Sequence, residues 1–83
     1  MSKFTSYRLN QIWDKGQTVR GKDLDLYRRD IYGNEMYKHS YGKNSKIRWE
    51  VDHSKPESKG GTDHLNNLQP MNPSANRSKS DKY

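Results

Sequence analysis

The stretch Trp49-Glu50-Val51-Asp52-His53-Ser54-Lys55-Pro56-Glu57-Ser58-Lys59-Gly60-Gly61-Thr62-Asp63-His64-Leu65-Asn66-Asn67-Leu68-Gln69-Pro70-Met71-Asn72-Pro73 decides how this chain reads. Its leading edge, Ile47-Arg48-Trp49-Glu50-Val51, alternates apolar and charged residues with a β-branched bias. That pattern predicts a strand with one buried face. Residues 54–64 are rich in Ser, Lys, Gly and Pro. They form a loop longer than most connections, and loops of that length are often functional. Leu65, Leu68 and Met71 supply the next apolar contacts. Asn72-Pro73 then has the form of a helix start, with Asn72 as N-cap and Pro73 at the first helical position. The expected helix runs from Pro73 to about Lys79, with Asn76 in its first turn or just beyond. The second half therefore reads strand, long loop, short strand, short helix.

Asp52 and His53 stand at the end of the strand, just before the long loop. Asp offers hard oxygen ligands suited to Mg²⁺ or Mn²⁺. A neutral His accepts a proton near pH 7. Together they supply what metal-assisted phosphodiester hydrolysis requires: a base for water and a cation for the charged transition state. Alone, such a pair says little, because most Asp-His neighbours are surface residues. Adjacent residues of a regular strand also point to opposite faces. Convergence of both side chains on one phosphate would require the strand to break or twist there.

Upstream, Gly33-Asn34 reads as a turn, Glu35 to His39 as a strand, and Tyr41 to Ser45 as the next turn. Leu24, Leu26 and Tyr27 before Arg28-Arg29 suggest a short helix with Asp23 near its start. Ile12 and Trp13 form a small apolar pair stopped by Asp14-Lys15-Gly16. Residues 1–10 read as a polar lead with scattered Phe4, Tyr7 and Leu9. There are no internal repeats.

The chain has 83 residues, of which 28% are hydrophobic, so it holds at most one small domain with a small core. Such cores usually need a staple. The absence of cysteine excludes disulfides and cysteine-based zinc sites. The net charge of +6 suits a polyanion such as nucleic acid, where Lys and Arg displace condensed counterions. No stretch approaches the ~20 apolar residues of a membrane span. The first residues lack the apolar region of a signal peptide. The expectation is a soluble, intracellular protein without a membrane partner.

Read in order, the Asp52-His53 pair, Pro56, Gly60-Gly61, Asn67-Leu68-Gln69, Asn76 and Lys79 resemble the HNH endonuclease family and its ββα-metal motif. Arg29-Asp30, Gly33, Tyr41-Gly42 and Trp49-Glu50 are similar to the cysteine-free branch of that family. The resemblance implies an α+β fold: a small single domain over residues 11–82, after a lead at 1–10, centred on a ββα-metal motif at about 47–80. It implies a metal-dependent endonuclease that hydrolyses DNA and leaves 5′-phosphate and 3′-hydroxyl ends. A monomer has one such site, so the expectation is nicking of one strand at a time, with little sequence specificity because phosphate contacts do not read sequence. His53 takes the place of the general base. Asp52 and Asn76 take the places of the metal ligands. Asn67 matches the middle Asn, which holds the loop by hydrogen bonds. Lys55, Lys59, Arg77 and Lys79 are candidate phosphate contacts. One divalent ion is implied, Mg²⁺ or Mn²⁺, with Ni²⁺ or Zn²⁺ as crystal substitutes.

Two departures from the family pattern stand out. Many members carry two cysteine pairs that bind a structural zinc. Here Asn72 and Ala75 occupy the positions of the second pair, so no structural zinc is expected. Ser54 stands where an apolar residue often follows the Asp-His pair. His39, at a zinc-cysteine position, and His64, beside Asp63, read as ordinary surface histidines. Glu50 shares a strand face with Asp52 and reads as a partner for a basic residue such as Arg29. The alternative class is a non-catalytic, basic nucleic-acid-binding protein, or an accessory of a larger assembly such as a phage packaging complex. Binding alone needs neither Asp52, His53 nor Asn76, which favours the nuclease. No reading helix is evident. A homodimer or larger nuclease complex would be needed for concerted cutting of both strands.

Overall fold

A computed structural model of the chain describes residues 4–74. Its first element is a helix, α1 (Ser6–Trp13). Thr5 caps it: the Thr5 hydroxyl accepts the Arg8 backbone N–H at 3.1 Å, satisfying one of the orphan donors of the first turn. Ile12 and Trp13 are fully buried, and Phe4 and Leu9 pack beside them. The helix therefore crosses residue 10 and joins the segment read as a polar lead to the rest of the fold. Its apolar side is spread over Leu9, Ile12 and Trp13, too sparse a pattern to stand out in so polar a segment.

Three short strands follow: β1 (Gln17–Thr18), β2 (Tyr27–Arg29) and β3 (Glu35–Tyr37). They form one antiparallel sheet in that order, with Arg28 opposite both Thr18 and Met36. The short helix expected at residues 24–29 is thus a strand preceded by a turn. Asp23 does start the turn: its carboxylate accepts the Asp25 N–H at 2.8 Å, and its carbonyl accepts the N–H groups of Leu26 and Tyr27. Beyond it, Tyr27–Arg29 finds strand partners on both sides. The Arg28 guanidinium also donates to the carbonyls of Leu24, Asp14 and Gly16 at 2.9–3.0 Å. Tertiary partners override the weak local helical preference. The expected strand from Glu35 ends at Tyr37, and Lys38–Ser40 form a 3-10 turn.

A second antiparallel pair consists of β4 (Glu50–His53) and β5 (Leu68–Met71). The strand lies nearer the loop than the alternation at Ile47–Val51 predicts. Pairing extends only as far as β5 reaches, from Glu50 opposite Met71 to His53 opposite Leu68. Trp49 is bridged instead to Tyr41. Pro70 is tolerated because each strand of a two-stranded pair has a free edge. Beyond β5, Asn72 caps the next helix as its sequence suggests: its side-chain oxygen accepts the Ser74 N–H at 2.9 Å, and Pro73 and Ser74 are helical.

The core lies where α1 meets the two sheets. It comprises Ile12, Trp13, Met36, Trp49 and Leu68, with Met71 also buried. The Trp49 ring lies 5.1 Å from Trp13 and 4.9 Å from Tyr41, both tilted. Each indole N–H has a carbonyl partner, Trp13 with Leu24 and Trp49 with Lys38. These aromatics are therefore core, not a platform for bases. The Lys15 ammonium, just past α1, donates to the carbonyls of Leu65 and Leu68 and ties the helix to β5. No helix among the described residues is long and apolar enough to cross a membrane.

One polar centre joins the two halves. Asp30, 1% exposed, accepts hydrogen bonds from the N–H groups of Tyr32 and Asn34, the Asn34 amide and the Asn72 N–H. The Asn72 amide in turn donates to the carbonyls of Glu35 and Lys46 at 2.8 and 2.9 Å. Asp30→Ala would strand the buried Asn72 N–H, at about 1–3 kcal/mol, and three part-buried donors of Tyr32 and Asn34. We expect this variant to lose about 3 kcal/mol or more of unfolding free energy in urea titrations. Lys22→Ala, which removes an exposed ion pair with Glu35, should lose less than about 1 kcal/mol. Equal losses in the two variants would contradict the central role of Asp30.

Candidate active site

His53 is the last residue of β4, and the chain bends away at Ser54. Its side chain is 13% exposed. Nε2 lies 2.7 Å from Asp63 Oδ1, with Glu57 Oε1 at 3.8 Å. The donor atoms of His53, Glu57 and Asp63 all fall within 4.8 Å of one another. Glu57 and Asp63 are more than half exposed, so this cluster opens to solvent.

Asp52 lies one residue earlier, opposite Gln69. Its Oδ2 accepts the Gln69 side-chain N–H at 3.1 Å. The strand ladder runs unbroken through both Asp52 and His53, and Asp52 is not part of the His53 cluster. The Asp52 carboxylate is a hard, partly exposed oxygen donor, the kind of ligand a divalent cation takes.

The loop between the strands is closed by Asn67. Its Oδ1 accepts the Lys55 N–H at 2.8 Å, while its Nδ2 donates to the carbonyls of Lys55 and Thr62 at 3.2 and 2.8 Å. The Asn67 carbonyl also accepts the Ser54 N–H at 2.9 Å. One residue thus grips the loop at both of its ends, next to His53 and next to Asp63. The glycines allow the grip. Gly60 ends the 3-10 turn Glu57–Lys59 with φ of 88°, a left-handed conformation that suits glycine. A Cβ on Gly61 would sit 1.7 Å from the Lys55 carbonyl oxygen, so no side chain fits there.

Lys55 and Lys59 are exposed on this loop. Asn76, Arg77 and Lys79 lie outside the described residues. His64 is exposed on the loop beyond Asp63, and His39 packs edge-on against Tyr37; neither belongs to the His53 cluster. Asp63, Glu57 and Gln69 are the site neighbours that sequence reasoning passed over. Asp63 is ten residues from His53, and no local pattern announces a contact across a loop. At the second zinc-pair position Asn72 is hydrogen-bonded into the buried centre with Asp30, where its amide does by hydrogen bonding what a metal ligand would do by coordination.

This geometry sits in a recognised frame. Residues 42–82 match the family model described as HNH endonuclease, so this segment of the chain is an HNH domain. Neither curated proteins nor solved structures yield a match to the chain.

Asn67→Ala removes three hydrogen bonds at once and should cost about 1–3 kcal/mol, lowering the melting temperature together with any nuclease activity. Gly61→Ala should act in the same direction, because the loop must open to admit the methyl group. Thermal unfolding and plasmid cleavage, run on the same preparations, check both. Full stability with slowed cleavage in Asn67→Ala would make Asn67 a participant in the chemistry rather than a clamp.

Proposed function

We propose that this protein is a divalent-metal-dependent endonuclease that hydrolyses DNA phosphodiester bonds, nicking one strand at a time with little sequence preference. The observation that carries the reading is His53, held at the open end of β4 beside Asp52, within the stretch that matches the HNH family. His53 serves as general base. Asp52 and Asn76 would hold one cation, and their oxygen donors suit Mg²⁺. When bound, that cation supplies positive charge for the phosphate and the departing 3′ oxygen.

The opposed faces of Asp52 and His53 suit this chemistry. In-line displacement places the attacking water and the leaving oxygen on opposite sides of phosphorus. His53 would act on the side of the attacking water, and the residues that hold the cation on the side of the leaving oxygen. His53 removes a proton from water as its oxygen bonds to phosphorus. The bond to the 3′ oxygen breaks, its electron pair stays on that oxygen, and a solvent proton completes the 3′ hydroxyl. The product ends are a 5′ phosphate and a 3′ hydroxyl.

Lys55 and Lys59, exposed on the loop, contact phosphate, with Arg77 and Lys79 assigned the same task from the motif. Phosphate contacts position a nucleic acid without reading it. The net charge of +6 adds a general attraction that weakens with salt.

Supercoiled plasmid incubated with Mg²⁺ or Mn²⁺ should convert first to open circles and later to linear forms, with no conversion in EDTA. His53→Ala should cut at least about 100-fold more slowly while still binding DNA. Cleavage by His53→Ala at the wild-type rate would remove His53 from the role of base. A discrete linear product without an open-circle phase would point to a dimer that recognises sequence. DNA binding without any cleavage by the wild type would favour a non-catalytic module.

DNA binding measured across a salt series should show affinity falling steeply as salt rises, about equally for unrelated duplexes. A strong preference for one duplex at all salt concentrations would contradict recognition through phosphates.

A further inference from the structure

The contact between His53 and the far end of the loop bears on which imidazole nitrogen does the chemistry. We infer that Asp63, with Glu57 in reserve, is a positioning residue that holds His53 in its Nε2–H tautomer and leaves Nδ1 as the basic atom. This rests on the reading of His53 as general base.

An ionised carboxylate only accepts hydrogen bonds. Asp63 Oδ1 lies 2.7 Å from His53 Nε2, so in the neutral ring the proton of that bond belongs to Nε2. The two ring nitrogens are distinct, and the bond made by one sets the state of the other. Nδ1 then carries the lone pair. Both carboxylate contacts of the ring are made through Nε2, on the side away from Nδ1.

The fold supplies the means of keeping Asp63 in place. Asn67 donates to the Thr62 carbonyl at 2.8 Å, one residue before Asp63, and accepts from the Lys55 N–H, two residues after His53. Gly61 N–H donates to the Pro56 carbonyl at 2.9 Å and closes the same loop from within. The clamp thus fixes the separation of donor and acceptor backbones. Glu57 Oε1, at 3.8 Å from Nε2, is too distant for a hydrogen bond but within reach of a side-chain rotation. When Asp63 is lost, such a rotation would let Glu57 accept from Nε2. Removing Asp63 alone should therefore have a partial effect, and removing both carboxylates a full one. The arrangement follows the general logic of a base oriented by a third group.

The trio also has the composition of a cation site, and the test separates the two uses. The full-length, ¹⁵N-labelled protein is studied free of metal, in EDTA, at a pH where the ring is neutral. Long-range proton–nitrogen correlation reports which ring nitrogen carries hydrogen. The chain has three histidines, and a spectrum of His53→Ala assigns the His53 signals. We expect the Nε2–H pattern in the wild type and in Asp63→Asn, which keeps an acceptor oxygen. A mixture of tautomers is expected in the double variant Glu57→Ala, Asp63→Ala. In plasmid cleavage the double variant should lose about tenfold or more in kcat, with no rise in KM, since tautomer choice affects the base and not the binding of DNA. Asp63→Asn should restore most of the rate.

An Nδ1–H pattern in the metal-free wild type overturns the inference, whether or not the protein cuts DNA. So does an Nε2–H pattern that persists unchanged in a folded double variant. An Nε2 that gains a bound Mg²⁺ on titration would also overturn it and reassign the trio to cation binding. If the wild type shows the Nε2–H form but never cleaves DNA, the nuclease reading fails while the tautomer assignment stands.

Discussion

The hydrogen bond from the Asn72 N–H to the buried Asp30 carboxylate is the constraint on which the rest of the structure depends. Asp30 lies just past β2, and Asn72 at the junction of β5 and the helix that Pro73 opens. The Asn72 N–H reaches the Asp30 carboxylate, and the Asn72 amide reaches the carbonyls of Glu35 and Lys46. A buried carboxylate without partners would be costly; with several N–H donors it becomes a rigid node. Without cysteine, the chain has no disulfide or thiolate-bound metal to join its halves. A polar network does that work, and it sets the direction in which the helix beyond Asn72 starts.

A small core accounts for the reliance on such bonds. Few large apolar residues are fully buried, and two of them are tryptophans whose indole N–H groups must also be satisfied. Arg28 is buried for the same kind of reason. Its guanidinium serves three carbonyls at the joint between α1 and the first sheet. Lys15 performs a similar task between α1 and β5. In a chain with this much charge, cations are used inside the fold as well as on its surface. Net charge alone therefore overstates how many basic side chains are free to meet a phosphate.

The site is built on the same economy. β4 and β5 present Asp52 and His53, and one asparagine closes the loop that carries the companions of His53. A loop of this length would ordinarily be mobile and would place Asp63 poorly. The Asn67 clamp and the contact of Gly61 with the Lys55 carbonyl remove much of that freedom, so a residue ten positions away becomes a fixed neighbour of the imidazole.

The sequence by itself determined the order of the motif. The Asp52-His53 pair, the glycines, Asn67 and the Asn72-Pro73 helix start are all visible because each depends on local spacing or on backbone chemistry confined to a few residues. The α+β class and the HNH family follow from them. Only the tertiary structure decided the rest. Residues 24–29 became a turn and a strand, not a helix, because Arg28 and its neighbours found partners in β1, β3 and the end of α1. The segment read as a lead became part of α1 because its apolar residues acquire a face only when Trp49 and Leu68 lie against it. The assignments of Asp30 to Asn72 and of Asp63 to His53 were likewise invisible. Hydrogen bonds between residues far apart in the chain leave no periodicity behind, and it is chain folding that sets their distances.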